Sequence, residues 1–457
     1  MLAIHLSWTA VLFGMVATAC GTAPPAPPGD SPGYGGETDA TRSLDGSLPS
    51  SDGGGGTGRP TPDGQTLVGA RGDTAIGASV LQHHLHASRD GHYIDPLMTP
   101  AYAANLVLDT TFDGAIRGPL WGQPLYVENG VEGKGTYYVA DDSNDIYAID
   151  ETRGLPVWQR TPLLGSAAAT GACSSLNPAP IGVTGTPIID LPSRTMYFSA
   201  VKATPDGSVI LTHEIHALSI DDGAEQTGWP VDVGTITSAS GVMLNPEPQG
   251  QRGAVALLNG YLYVAYGGEY EDCGAYHGWV VSVPVADPKE ASAWMTVADK
   301  GGIWAAGGLA SDGVDVFAGT GNAAGGTTHG LPWSMAGSEA VLRFHDGSSF
   351  DMTDTTNYFS PSNWQTLDDD DTDLCGTGPL VVDVPGATPS ALIVQLGKSG
   401  VMHILDRANL GGVGTGNGTT GEGLYSNRVA YGAIRTSPAT YTTSGVTYVV
   451  FNGNGNG

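Results

Sequence analysis

Chemistry-bearing side chains gather at a few places along the chain. His277, in Tyr276-His277-Gly278-Trp279, opens an apolar run next to two aromatics. Its near-neutral pKa suits acid–base work if it lines a funnel, and the alternative is a buried histidine bonded to a neighbouring element. Asp368, Asp369, Asp370, Asp371 and Asp373 crowd five carboxylates into six positions, a density that suits a hard cation or else a solvated loop. His83, His84, His86 and His92 cluster near residue 90, and on a strand His84 and His86 would share a face, as metal ligands require. No cysteine or acidic partner completes that set by spacing. Serine-nucleophile, phosphate-loop and dinucleotide patterns are missing, and the many Gly-x-Gly triplets lack a strand-to-helix context.

The elements that must position these groups are short strands. Tyr137–Ala140 and Ile146–Ile149 are β-rich runs separated by an Asp/Ser/Asn turn, and a third strand follows that ends in Trp158. Similar pieces return every 50 to 75 residues: MYFSA with HEIHALSIDDGAEQTGWPV, LYVAY with GWVVSV, VDVFAGTGN with EAVLRF, and ALIVQLGKSGVMHILDR. Each has too little apolar surface to stand alone. Radially stacked antiparallel blades, a β-propeller, bury such units against their neighbours. No long helical periodicity occurs, and 69 glycines and 30 prolines fit many turns, so the chain is all-β.

The wording of the repeat resembles the quinoprotein-like (PQQ-like) propellers. Tyr147-Ala148-Ile149-Asp150 with Gly154 and Trp158 is the best match, and His216-Ala217-Leu218 with Gly223 and Trp229 a weaker copy. From Val80 onward the chain resembles secreted bacterial proteins with PQQ-binding-like propeller repeats, through LQHHLHASRDG (81–91), GQPLYVENGV (122–131), GVTGTPIID (182–190), YHGWVV (276–281), GGIWAAGG (301–308) and GKSGVMHILDR (397–407). The resemblance implies six to eight four-stranded blades. It also implies candidate counterparts of a cofactor site. Trp304 corresponds to the tryptophan on which PQQ stacks, Asn322 to a calcium-binding asparagine, and Lys398 to the basic residue at the quinone oxygens. Asp371 or Asp373 lies where the general base would come from. Glu271 is the candidate acidic calcium ligand, although Glu269 and Asp272 lie as close and none aligns cleanly. The vicinal cysteine pair of alcohol-oxidising members is absent.

Lys and Arg total 18 against 46 Asp and Glu, a net charge of −28, which repels nucleic acid and anionic headgroups. Residues 1–20 read as an export signal, with small residues Ala17-Thr18-Ala19 before a lipobox-like Cys20. Cys20 is therefore the expected lipidation site, and simple release after signal cleavage is the alternative. The apolar run is too short for a permanent span of roughly 20 residues. Residues 21–66 form a Gly/Pro/Ser-rich tether expected to be disordered, and 67–457 the propeller. The final strand, Val449–Phe451, has no successor, so either the chain is truncated or an N-terminal strand completes the last blade.

An oxidising compartment favours a disulfide among the remaining cysteines. Cys173 and Cys273 sit on inter-strand excursions of neighbouring blades and are the expected pair, leaving Cys375 odd. Zinc is disfavoured, because no two cysteines have CxxC spacing. The leading expectation is an extracytoplasmic binding or scaffold propeller, taking an envelope or extracellular protein, a glycan or a small ligand. The alternative is a PQQ- and calcium-dependent dehydrogenase of alcohols or sugars.

Overall fold

The computed structural model describes residues 78–454 except 97, 162–166, 169–179, 270–272 and 416–421, together with the backbone of Leu2–Leu6. The chain divides into two units, and the second, Val16–Gly69, lies outside the described residues, as do Cys20, Cys173 and Glu271.

Six sheets follow one another along the first unit. The first pairs Leu125–Val127, Thr136–Ala140, Ile146–Asp150 and Pro156–Arg160 in sequence order, all antiparallel. The second repeats this with Ile188–Asp190, Thr195–Ala203, Ile210–Ser219 and Val231–Asp232. The third is built on Tyr261–Gly268, Trp279–Pro284 and Ser292–Met295, with Ala256–Leu258 and Gln249–Gly250 along its inner strand. The fourth contains Ala310–Ser311, Val316–Gly319, Val341–Phe344 and Tyr358–Ser360, extended by a parallel Gly412–Val413. Leu380–Asp383, Ala391–Leu396, Val401–Asp406 and Tyr425–Arg428 form the fifth. The sixth has three strands, Ala439–Thr443, Val446–Phe451 and Leu2–Leu6. Leu2–Leu6 also opens the stretch read as an export signal, so signal cleavage would remove that strand.

Strand alternation explains how the sheets stack. On Thr195–Ala203, Met196 and Phe198 pack toward the first sheet while Tyr197 packs toward the third. On Tyr261–Gly268, Leu262, Val264 and Tyr266 face the second sheet, and Tyr263 and Ala265 the fourth. Successive side chains point to opposite faces, so each middle sheet is apolar on both. Further clusters join the fourth sheet to the fifth through Phe317, Phe359 and Ile393, and the fifth to the sixth through Val394 and Phe451. The repeat's tryptophan is one of the fasteners. Trp158 Nε1 donates to Ile220 O at 3.0 Å, and its ring lies against Gly223, where φ is +67° and an added Cβ would meet the indole at 2.9 Å. Glycine is the residue that takes this conformation without strain.

A single segment, Val80–Asp90, touches the innermost strand region of every sheet. Val80 exchanges backbone bonds with Tyr126, and Leu81 O accepts from Ile189 N. Ala87 O accepts from Ser311 N, Ser88 O from Val381 N, and Asp90 O from Thr440 N. The third sheet is reached by Arg89, whose guanidinium donates to Val255 O at 2.9 Å and Leu309 O at 2.8 Å. One short segment can meet six inner strands only if they surround it, which is the radial arrangement of a propeller.

Candidate ligand site around Trp304

The inner ends of the third, fourth and fifth sheets bring together residues far apart in sequence. Trp304 lies on the connection into the fourth sheet, Asn322 just beyond Val316–Gly319, Asp373 on the connection into the fifth, and Lys398 on the hairpin after Ala391–Leu396. Trp304 Nε1 donates to Asp373 Oδ2 at 3.1 Å, and Asn322 N donates to Asp373 Oδ1 at 2.7 Å. Lys398 Nζ stands 2.6 Å from Asp373 Oδ2 and 2.6 Å from Asp371 Oδ1, and 5.1 Å from the Trp304 ring centre. Arg252 approaches the same indole at 5.6 Å while donating to Trp304 O at 3.0 Å. Gly321 makes the close approach possible, because a Cβ there would sit 2.8 Å from Trp304 Nε1 and 3.0 Å from Asp373 Oδ1.

Electrostatics follows from burial. The Asp373 side chain is 0% exposed. Burial raises its pKa, and Lys398 together with the Asn322 N–H pulls it back. Burial pulls Lys398 downward in turn, but Asp373 and Asp371 outweigh it and hold the ammonium above its usual value. The outcome is an ion pair. Glu339 lies behind it, fully buried, in the left-handed region at φ +50°, with Oε2 accepting from Leu374 N and Oε1 unpartnered among the described residues. Burial, then the charge of Asp373, lifts the Glu339 pKa well above its usual value. Cys375 is a buried free thiol next to this pair, and burial raises its pKa as well.

The remaining sequence candidates separate from the cluster. His277 Nδ1 bonds Ala298 O at 3.0 Å and Nε2 stands 3.8 Å from Asp299, with no bond to Trp304, Asn322 or Lys398 among the described residues. The aspartate run is partly helical, Trp364–Asp370, with Asp371 as its left-handed cap. Asp368 is buried and accepts from Ala323 N and Thr328, so it ties loops together, whereas Asp369, Asp370 and Asp371 are exposed. His84 and His86 do not share a strand face. They lie in turns, His84 at φ +55°, with His83 stacked on His84 at 4.3 Å and His86 paired to Asp90 at 2.9 Å. No group of three metal-ligating side chains occurs among the described residues. Glu339 and Arg252 belong to no motif, and their roles were invisible in the sequence.

The cluster does not fit PQQ and calcium as it stands. A calcium ligand must offer free oxygen lone pairs, and the two Asp373 oxygens already take three donors, Trp304 and Lys398 on Oδ2 and Asn322 on Oδ1, which leaves about one lone pair for a cation. The cavity at Arg252, lined also by Trp121, Asp142, Thr184 and Glu269, measures about 170 Å³. That is below the roughly 300–1,000 Å³ of cofactor pockets, and its lining does not include Trp304, Asn322, Asp373 or Lys398.

No family model matches the chain, and no curated protein does. Among solved structures, a quinohemoprotein alcohol dehydrogenase from Comamonas testosteroni aligns at 17% identity and TM-score 0.48, covering 73% of this chain and 48% of that one. The chain thus spans about half the length of that dehydrogenase. BamB from Moraxella catarrhalis aligns at 14% identity and TM-score 0.35, covering 73% of this chain and 80% of BamB. The computationally designed Ika8 protein aligns at 10% identity and TM-score 0.32, covering 72% and 80%. Six sheets among the described residues, set around Val80–Asp90, give this chain the fold of a β-propeller.

Proposed function

We propose that this protein is an extracytoplasmic binding propeller without redox chemistry, exported and held at the cell envelope by a lipid on Cys20. The observation that carries this reading is the set of three bonds to Asp373. The carboxylate that a quinoprotein would use as base is occupied by Lys398, Trp304 and Asn322, so the cluster fastens three sheets to one another. Binding then falls to grooves and loops on a rigid scaffold, where propellers carry it. A Cys173–Cys273 disulfide belongs to the same reading.

The second reading is a PQQ- and calcium-dependent dehydrogenase of alcohols or sugars. What favours it is the meeting of Trp304, Asn322, Lys398 and Asp373 in one place. Titrating purified protein with PQQ, with and without calcium, while following absorbance and dye reduction on ethanol and glucose, separates the two. The expected result is no calcium-dependent uptake tighter than about micromolar, roughly 8 kcal/mol, and no turnover. Calcium-dependent PQQ binding that disappears in Trp304→Ala or Asn322→Ala would establish the dehydrogenase instead.

A further inference from the structure

Beside the fifth sheet lies a groove of about 780 Å³, between the helix Trp364–Asp370 and the strands Val401–Asp406 and Tyr425–Arg428. Its size is that of a small-molecule site, but its lining is not the usual apolar one. Among the described residues, Leu367 and Val401 are its only aliphatic side chains; hydroxyls and amides, among them Thr366, Ser426, Asn363 and Asn427, cover most of the rest. A ligand that replaces the water here must return many hydrogen bonds, since desolvated polar groups left unpaired weaken binding.

Charge narrows the class. Lys398 and Arg428 are balanced by Asp370 and Glu422, so the lining is formally neutral inside a protein of net charge −28. Lys398, moreover, is already committed to Asp371 and Asp373. A strongly ionic ligand finds no excess of the opposite sign. His403 reaches the lining from Val401–Asp406, 5% exposed, and burial pushes its pKa down to about 4, so it adds no charge at neutral pH. Its Nδ1 has no partner among the described residues. Tyr431, 76% exposed, adds an aromatic face at the rim. A large exposed aromatic gains by covering an apolar surface, and the C–H face of a sugar ring supplies one while its hydroxyls meet the amides.

We propose that this groove is a binding site for a neutral oligosaccharide, with Tyr431 stacking on a ring and Asn427, Asn363 and Ser426 reading hydroxyls. The proposal rests on the binding-propeller reading and names its ligand class. N,N′,N″-triacetylchitotriose, maltotriose and cellotriose would be titrated calorimetrically into purified protein, with galacturonate trimer as the acidic comparison. At least one neutral trisaccharide is expected to bind with submillimolar affinity. Tyr431→Ala and Asn427→Ala should each weaken it by about tenfold or more, and Tyr431→Phe should retain it. Tyr102→Ala, an exposed aromatic outside the groove, should leave it unchanged. Failure of all three neutral sugars to bind, preference for the acidic trimer, or affinity unaltered in Tyr431→Ala would each overturn the proposal. None of these would revive the dehydrogenase, which the PQQ titration decides by itself.

Discussion

Replacing Lys398 by Met tests whether the Trp304 cluster is an electrostatic fastener. Met keeps most of the stem's packing and removes only the ammonium that stands 2.6 Å from Asp373. Breaking a buried pair from one side costs about 3–5 kcal/mol, because the other charge stays behind without its partner. Lys398 is 17% exposed and Asp373 retains bonds from Trp304 and Asn322, so the loss belongs near the lower end, about 3 kcal/mol. For a domain of this size that is a fall in Tm of roughly 3–5 °C. The pH dependence has a definite sign. Burial already raises the Asp373 pKa and Lys398 lowers it, so the substitution lets it rise further. The folded mutant then binds its proton more tightly than the unfolded chain does. Its deficit is smallest below about pH 3.9, the unfolded carboxyl value, and widens as pH rises toward neutrality. Thermal and urea unfolding of wild type, Lys398→Met and the double variant Asp373→Asn/Lys398→Met at pH 4 to 8 provide the assay. The double variant should recover most of the loss, since it removes the stranded charge. A mutant deficit that is the same at pH 4 and pH 8, or a double variant no better than the single one, would refute the reasoning.

Gly321→Ala should destabilise by about 1–3 kcal/mol by forcing Trp304 away from Asp373, and the effect should shrink in a Trp304→Phe background, read by thermal melting. Arg89→Met should cost more than about 3 kcal/mol in urea unfolding, because Gln82, His83, Val255 and Leu309 all lose a buried donor at once. Cys20→Ala should move the protein from the membrane to the soluble exported fraction with its fold intact, and equal palmitate incorporation in both forms would contradict this. Non-reducing peptide mapping should recover Cys173 linked to Cys273, a bond contributing about 2–4 kcal/mol; free thiols at both would end that assignment.

The repeat was legible in the sequence because its signals are local. Strand alternation, turn residues and the spacing from Tyr147 to Trp158 act within one blade, and they anticipated the first sheet's Thr136–Ala140 and Ile146–Asp150 closely. The candidates Trp304, Asn322, Lys398 and Asp373 were also visible one at a time. Their bonds were not, since Trp304 and Asp373 are 69 residues apart and meet only where three sheets converge. The histidine-rich segment is the clearest case of the difference. By spacing it offered metal ligands, yet its turns and Arg89 place it along six inner strands, and no local pattern encodes contacts 220 residues away. Glu339 carries no motif at all. Its raised pKa depends on burial and on the charge of Asp373, both of which exist only in the folded chain.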